Sequence, residues 1–199
     1  MSALDSSGFE AHHVSHYFVR RRSSGPGKNL QKMTYRRYPK LALVVDCQTH
    51  LILAAVPGRG PSPDVPHVIE AVLAARTRRV IETILADAGY DAEWVHRFIR
   101  DELDMRSLIP PDAGRPTAKV LTGRYRRGMK SYFRRPKQRR RYGQRWQAET
   151  VFSMIKRRLG ASVNARSDRR QRRAMLLKAI VHNILVVFDG KLFCRAGRS

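Results

Sequence analysis

"KLALVVDCQTHLILAAVP", residues 40 to 57, decides the fold. Two apolar runs, 40 to 47 and 51 to 57, flank a short polar Gln-Thr-His, the pattern of a β-hairpin. Upstream, residues 20 to 39 ("RRRSSGPGKNLQKMTYRRYP") are basic and rich in Gly and Ser, and read as a loop. Downstream, "GRGPSPD" breaks the chain, and Ser62 or Asp64 caps a predicted helix reaching about Arg76, with Val68, Ile69, Val72 and Leu73 on one side. "VIETILAD" (80 to 87) suits a buried strand, and a helix near 92 to 103 turns Trp94, Val95, Phe98 and Ile99 inward. "RSLIP" (106 to 110) is a further short strand, stopped by Pro110 and Pro111. Residues 112 to 141 lack hydrophobic periodicity and are crowded with Arg, which predicts a basic loop, solvated or ordered by nucleic acid. Two helices finish the chain, near 142 to 159 and 170 to 189, the second with Leu176, Leu177, Ile180, Val181, Ile184, Leu185 and Phe188 at helical spacing. Hairpin, helix, strand, helix, strand, helices is an α/β layout with a mixed sheet.

At 199 residues and 42% hydrophobic, the chain suits one domain with a real core. Its 40 Lys and Arg against 16 Asp and Glu give a formal charge of +24, self-repulsive without a polyanion. Nucleic acid is the partner this implies, because neutralising phosphates releases condensed counterions and rewards many dispersed cations. A membrane surface fits less well: the longest apolar run, "AIVHNILVVF", is short and broken by His182 and Asn183. Cys47 and Cys194 are too few and too far apart for a disulfide framework or a zinc ligand set, which points to a reducing, intracellular setting. No signal peptide precedes Asp5.

Between Asp112 and Asp168 stand seventeen Lys and Arg and one acid, Glu149. On a helix, Tyr142, Arg145, Glu149 and Lys156 fall within roughly 60° of one another, beside an apolar stripe of Ala148, Val151, Phe152, Ile155 and Leu159. One reading is an exposed i,i+4 ion pair between Arg145 and Glu149, worth at most about 0.5 kcal/mol. The other makes Glu149 a metal ligand and the cations beside it phosphate-binding groups. That second reading needs partner carboxylates. Asp87 ends an apolar run in "ILADAGYD", and ligand chemistry in open α/β sheets gathers at the carboxyl ends of strands. Asp5, in "ALDSSGF", follows apolar residues and precedes a polar Ser-Ser-Gly turn. Two Asp at strand ends and a Glu on a helix are the hard oxygen set that paired Mg²⁺ ions take. The bland alternatives are a turn cap for Asp87 and a loose terminus for Asp5.

The spacing Tyr142, two residues, Arg145, three residues, Glu149, six residues, Lys156 resembles the Y-R-E-K motif of bacterial insertion-sequence transposases of the IS4 and IS5-like groups. "LDSSGF" resembles their first Asp segment and "LADAGYD" their second, over a stretch from Asp5 to about Phe188. The resemblance implies an RNase H-like fold in which Asp5, Asp87 and Glu149 hold two Mg²⁺ ions, with Mn²⁺ able to substitute. The expected activity is cleavage and strand transfer of DNA phosphodiesters. It implies that Tyr142, Arg145 and Lys156 position DNA phosphates, Arg145 as a bidentate fork, with Trp146 and Arg157 adjoining. Trp146 is read either as a base-stacking group or as a core residue. The expected partners are insertion-sequence ends and target DNA, met by a homodimer, with no membrane and a cytoplasmic, nucleoid-associated location.

Only four residues precede Asp5, where such transposases carry a substantial DNA-recognition region, so the chain is expected to be an N-terminally truncated catalytic domain. "MSAL" is expected to give only a stub of strand under Asp5, with activity impaired. Asp46, which ends a strand, rivals Asp5 as the first carboxylate, and Asp64 is a spare acid. His12, His13 and His16 in "HHVSH" lack a fourth ligand for zinc, and "SGPGKN" lacks the strand and the Lys-Ser/Thr ending of a P-loop. A non-catalytic DNA-binding protein and a simple nuclease of the same fold are the competing readings.

Overall fold

The structure is a computed structural model that describes the backbone of residues 1–11, 16–22, 30–112 and 122–196, and the side chains of 1–11, 36–112 and 122–189. Its strands are β1 (Ser2–Gly8), β2 (His16–Arg22), β3 (Leu30–Arg36), β4 (Tyr38–Asp46), β5 (Ile52–Gly60), β6 (Thr83–Leu85) and β7 (Arg106–Leu108). Its helices are α1 (Val68–Arg76), α2 (Glu93–Arg97, extended by a π turn over Phe98–Glu102), α3 (Arg124–Tyr132), α4 (Pro136–Tyr142), α5 (Trp146–Leu159) and α6 (Asp168–Ala196). Five strands form one mixed sheet in the order β5-β4-β1-β6-β7, with β1 antiparallel to β4 and parallel to β6. This is the α/β, RNase H-like arrangement that the sequence predicts.

Alternation along each strand sorts the core into two layers. Leu4, Ala42, Val44, Ala54, Val56, Ile84 and Ala86 pack with Val68, Ala71, Val72 and Val95 of α1 and α2. Ala3, Leu41, Leu43, Val45, Leu85 and Leu108 pack on the other face with Ala148, Val151, Phe152 and Ile155 of α5 and Met175 of α6. Odd-numbered residues of β1 therefore point toward α5, which fixes where Asp5 can act.

Several expectations are corrected. β1 is a seven-residue strand in the middle of the sheet, not a stub, because the polar Ser6 and Ser7 continue the pairing with β4 through Gly8. Within the expected loop at 20 to 39, β3 pairs with β2 in an antiparallel hairpin that sets Tyr17 against Tyr35 and Val19 against Met33. The density of Arg hides these β-forming residues. Helix α1 buries Val68, Ala71, Val72 and Ala75 and leaves Ile69 and Leu73 more than 40% exposed. Small alanines let the helix lie close to the sheet, whereas a reading by bulk selects the wrong side. Trp94 likewise faces out, and His96 takes an inward place beside Val95, Phe98 and Ile99.

The largest correction falls on the basic stretch. Residues 113 to 121 lie outside the described residues, but α3 and α4 occupy most of what remains up to Tyr142. The cause is tertiary. Glu93 accepts the backbone N–H of Tyr125 and of Arg126, at 3.1 Å each, and so caps α3 from another element. Gly123 makes this approach feasible: its φ is +100°, and a Cβ there would stand 2.1 Å from the Glu93 carboxylate. Met129 is buried under the helix. The predicted helix from 142 is also divided, since a 3-10 turn over Gly143–Arg145 joins α4 to α5. Among the described residues no helix is long and apolar enough to cross a membrane.

Candidate active site

Asp5 and Asp87 come from neighbouring parallel strands. The β1–β6 register pairs Ala3 with Leu85, and each Asp stands two residues further along its chain. Two residues is one period of the pleat, so both acids continue the rows of Ala3 and Leu85 on the α5 side. A backbone N–H fixes one oxygen of each: Ser6 donates to Asp5 Oδ1 at 2.8 Å and Gly89 to Asp87 Oδ1 at 2.9 Å. The turn-capping role considered for Asp87 is thus present, and it holds the carboxyl at the end of the strand.

Glu149 approaches from α5 through Arg145. The Arg145 Nη2 atom donates to Glu149 Oε1 at 2.5 Å, while Nη1 lies 3.7 Å from Asp5 Oδ2. The i,i+4 pair therefore exists, and it is turned toward the strand acids. Burial, with the negative charges of Asp87 and Glu149, pushes the Asp5 carboxyl up to about 6, against the pull of the Ser6 N–H and Arg145. Burial thus sets the Asp5 carboxyl apart from an ordinary surface acid, with Asp87, Arg145 and Glu149 all near enough to act on it.

The remaining motif residues frame this group. The Tyr142 hydroxyl donates to the Ala86 carbonyl at 3.2 Å, one residue before Asp87, and burial pushes its phenol up to about 12. Its contact ties the end of α4 to the end of β6. Lys156 donates to Ser7 Oγ at 2.7 Å and lies 5.6 Å from the centre of the Phe9 ring. Asp5 and Ser7 on β1, with Phe9 just past it, thus form one row against which α5 lays its polar edge. Ser7 was not legible as a site residue, although period-2 counting from Asp5 reaches it. Trp146 is 69% exposed, which removes the core reading, and Arg157 is exposed one residue beyond Lys156. Arg134, Arg135, Lys137, Arg139 and Arg140 line the exposed approach along α4.

The rival acids stand elsewhere. Asp46 pairs in register with Ser2, accepts from Thr49, and binds Arg79 at 2.7 Å, as a buried turn cap and ion pair. Asp64 binds Lys40 at 2.5 Å. His12, His13 and the "GPGKN" segment lie outside the described residues, as does the side chain of His16. Among the described residues no three His, Cys, Asp or Glu side chains converge as a metal-binding group. The donor chemistry of Asp5, Asp87 and Glu149 nevertheless fits a hard divalent cation: three carboxylates, two of them fixed by backbone N–H groups, with charge now supplied by the Arg145 guanidinium between Asp5 and Glu149.

A mixed five-stranded sheet flanked by helices, with Asp5 on its central strand and Asp87 just past the end of the neighbouring one, is an RNase H-like arrangement. The family model described as "Transposase DDE domain" matches residues 2–184, and the chain belongs to that family. A comparison with curated proteins gives no match.

Proposed function

We propose that the chain cleaves DNA phosphodiesters at insertion-sequence ends and joins the freed ends to target DNA, in the manner of the IS4 and IS5-like groups. The observation that carries this reading is the shared level of Asp5 and Asp87 on parallel strands, facing the edge of α5 that bears Glu149. Asp5, Asp87 and Glu149 would hold two divalent ions, Mg²⁺ or Mn²⁺, which activate the attacking oxygen and stabilise the leaving one. The protein's own part is alignment. In cleavage a water oxygen bonds to phosphorus and the 3′ oxygen leaves with the electron pair. In joining, that 3′-hydroxyl gives up its proton, its oxygen bonds to a target phosphorus, and the target strand's own 3′ oxygen leaves with the electron pair.

Lys156, held by Ser7, supplies a fixed positive charge beside the acids, and Arg145 is placed to trade its carboxylate partners for a phosphate. The cationic surface of α4 offers the duplex its approach. Lys156→Ala is expected to lower the slope of log affinity against log salt by about 1, read by fluorescence anisotropy over a salt series.

The function is tested with a duplex oligonucleotide carrying free 3′-hydroxyl ends, a supercoiled plasmid and Mn²⁺. Joined product is expected. Nicking without joining would make the chain a nuclease, and salt-sensitive binding without either would make it a DNA-binding protein only.

A further inference from the structure

Strand β5 is an edge of the sheet and ends in Gly58, Arg59 and Gly60. There Arg37, Arg59, Arg172 and the imidazole of His67, drawn from separate parts of the chain, line an opening of about 470 Å³ with the bare backbone of the two glycines. A Cβ on Gly58 would stand 2.8 Å from His67 Nε2, so the missing side chain lets the ring lie on the strand. None of the lining residues is acidic. Asp168, the first residue of α6, stands beside the opening and accepts from Arg59 Nη2 at 2.9 Å and from Arg172 Nε at 3.0 Å. One carboxylate between two guanidiniums leaves a positive charge over, and Arg37 adds another.

The strand register fixes where this opening lies. Asp5 pairs with Leu43 and Leu43 with Ala55, and both partners belong to the layer under α5 and α6. Arg59 is two pleat periods beyond Ala55, so its side chain leaves the sheet on the face of Asp5. Its level is that of Phe9: the Phe9 N–H donates to the Pro39 carbonyl at 2.8 Å, and Pro39 pairs with Arg59. Lys156 stands over the Phe9 ring, so Lys156 and Arg59 lie side by side across two strand spacings, about 10 Å. Because Pro39 turns its carbonyl to β1, Arg59 opposite it turns its own N–H and C=O to the open edge. The Ser62 hydroxyl donates to that C=O, and the N–H faces outward beside the guanidiniums.

We infer that this opening binds one backbone phosphate of a DNA strand that also meets Lys156, and that the Asp168 carboxylate holds the place of that phosphate until DNA arrives. The inference rests on the proposed function for its ligand, DNA. About 10 Å is the rise of about three nucleotides, so one strand reaches both points. Guanidiniums that fork onto a carboxylate fork equally onto a phosphate. The exchange costs the fold little, because the Asp168 pairs are 38 to 50% exposed at their side chains and such pairs contribute little to stability. An opening at the sheet edge does not enclose a free small anion, whereas a phosphate carried on a strand is already held by its other contacts.

The test is fluorescence anisotropy of a labelled duplex with the full chain, without metal, from about 50 to about 200 mM NaCl. Arg59→Ala/Arg172→Ala is expected to bind at least about tenfold more weakly at the lower salt. Its slope of log affinity against log salt should fall by about 1, additively with Lys156→Ala, while Arg59→Lys/Arg172→Lys keeps the slope. Asp168→Asn is expected to bind about three- to fivefold more tightly, since it removes the internal competitor. Asp104→Asn, an exposed acid just before β7 at the far side of the sheet, should stay within about twofold of wild type. Circular dichroism checks that each variant is folded. A wild-type slope in the folded alanine pair, or an Asp168→Asn protein that binds no tighter than wild type, would overturn the inference. Because the assay holds no metal, a chain that joins no DNA in Mn²⁺ leaves this site standing, and an unaltered slope leaves the proposed chemistry standing.

Discussion

Asp5→Asn is expected to make the metal-free protein more stable at neutral pH while abolishing its activity. The wild-type carboxyl is raised from 3.8 to about 6 by burial first and then by its acidic neighbours. An acid whose folded value lies above its unfolded value holds its proton more tightly in the folded state. It therefore costs nothing below the unfolded value, loses stability as pH rises between the two values, and bears the full penalty above the folded one. At neutral pH the penalty is up to about 3 kcal/mol, or a melting temperature raised by about 6 °C or more in the variant. Asn keeps the oxygen that accepts the Ser6 N–H. Thermal melts from pH 4 to pH 8 should show the variant's advantage growing through about pH 6 and vanishing near pH 4. Added Mn²⁺ should stabilise the wild type and not the variant. An Asp5→Asn protein less stable than wild type at pH 8 would show that the acids do not burden the fold.

The second large effect is expected at Asp91, which closes the turn that Asp87 opens and has no proposed ligand role of its own. Its buried Oδ2 accepts Nε and Nη2 of Arg126, at 2.9 and 2.7 Å, and the backbone N–H of Asp112 at 2.9 Å. Its Oδ1 lies 3.5 Å from His96 Nε2, and His96 donates or accepts at Ser107 Oγ, 2.7 Å away. Burial holds the His96 imidazole below its ordinary value. Asp91→Ala strands the Arg126 guanidinium against the core and costs about 3 kcal/mol or more, a melting temperature lower by about 10 °C. Because Arg126 is the anchor of α3, DNA affinity should fall as well. A shift within about 1 °C would mean that α3 is held by other contacts.

Much of the fold was legible because strand and helix periods are written by apolar residues: the 40 to 57 hairpin, the short strands before Asp87 and at Arg106, and the apolar stripe of α5. The unreadable parts share a physical cause. Helix α3 draws its cap from Glu93 and its anchor from Asp91, some thirty residues away, and no local pattern records such partners. β1 was underestimated because its second half is polar, and only pairing with β4 reveals it as strand. The site shows the same division. Residue types and spacing singled out Asp5, Asp87, Glu149, Arg145 and Lys156, whereas the roles of Ser7 as the seat of Lys156 and of the Ala86 carbonyl as the seat of Tyr142 depend on packing.

Supercoiled-plasmid nicking in Mg²⁺ or Mn²⁺ should be compared for wild type, Asp87→Asn, Glu149→Ala and Asp46→Asn under one set of conditions. Glu149 is 49% exposed at its side chain, so its removal should leave the fold intact. If Asp5 in the middle of β1 and Asp87 just past β6 act with Glu149, wild type nicks, Asp87→Asn and Glu149→Ala lose at least about 1,000-fold of the rate, and Asp46→Asn keeps activity in proportion to its folded fraction. Nicking that survives Glu149→Ala, or that is lost in a fully folded Asp46→Asn, would contradict this.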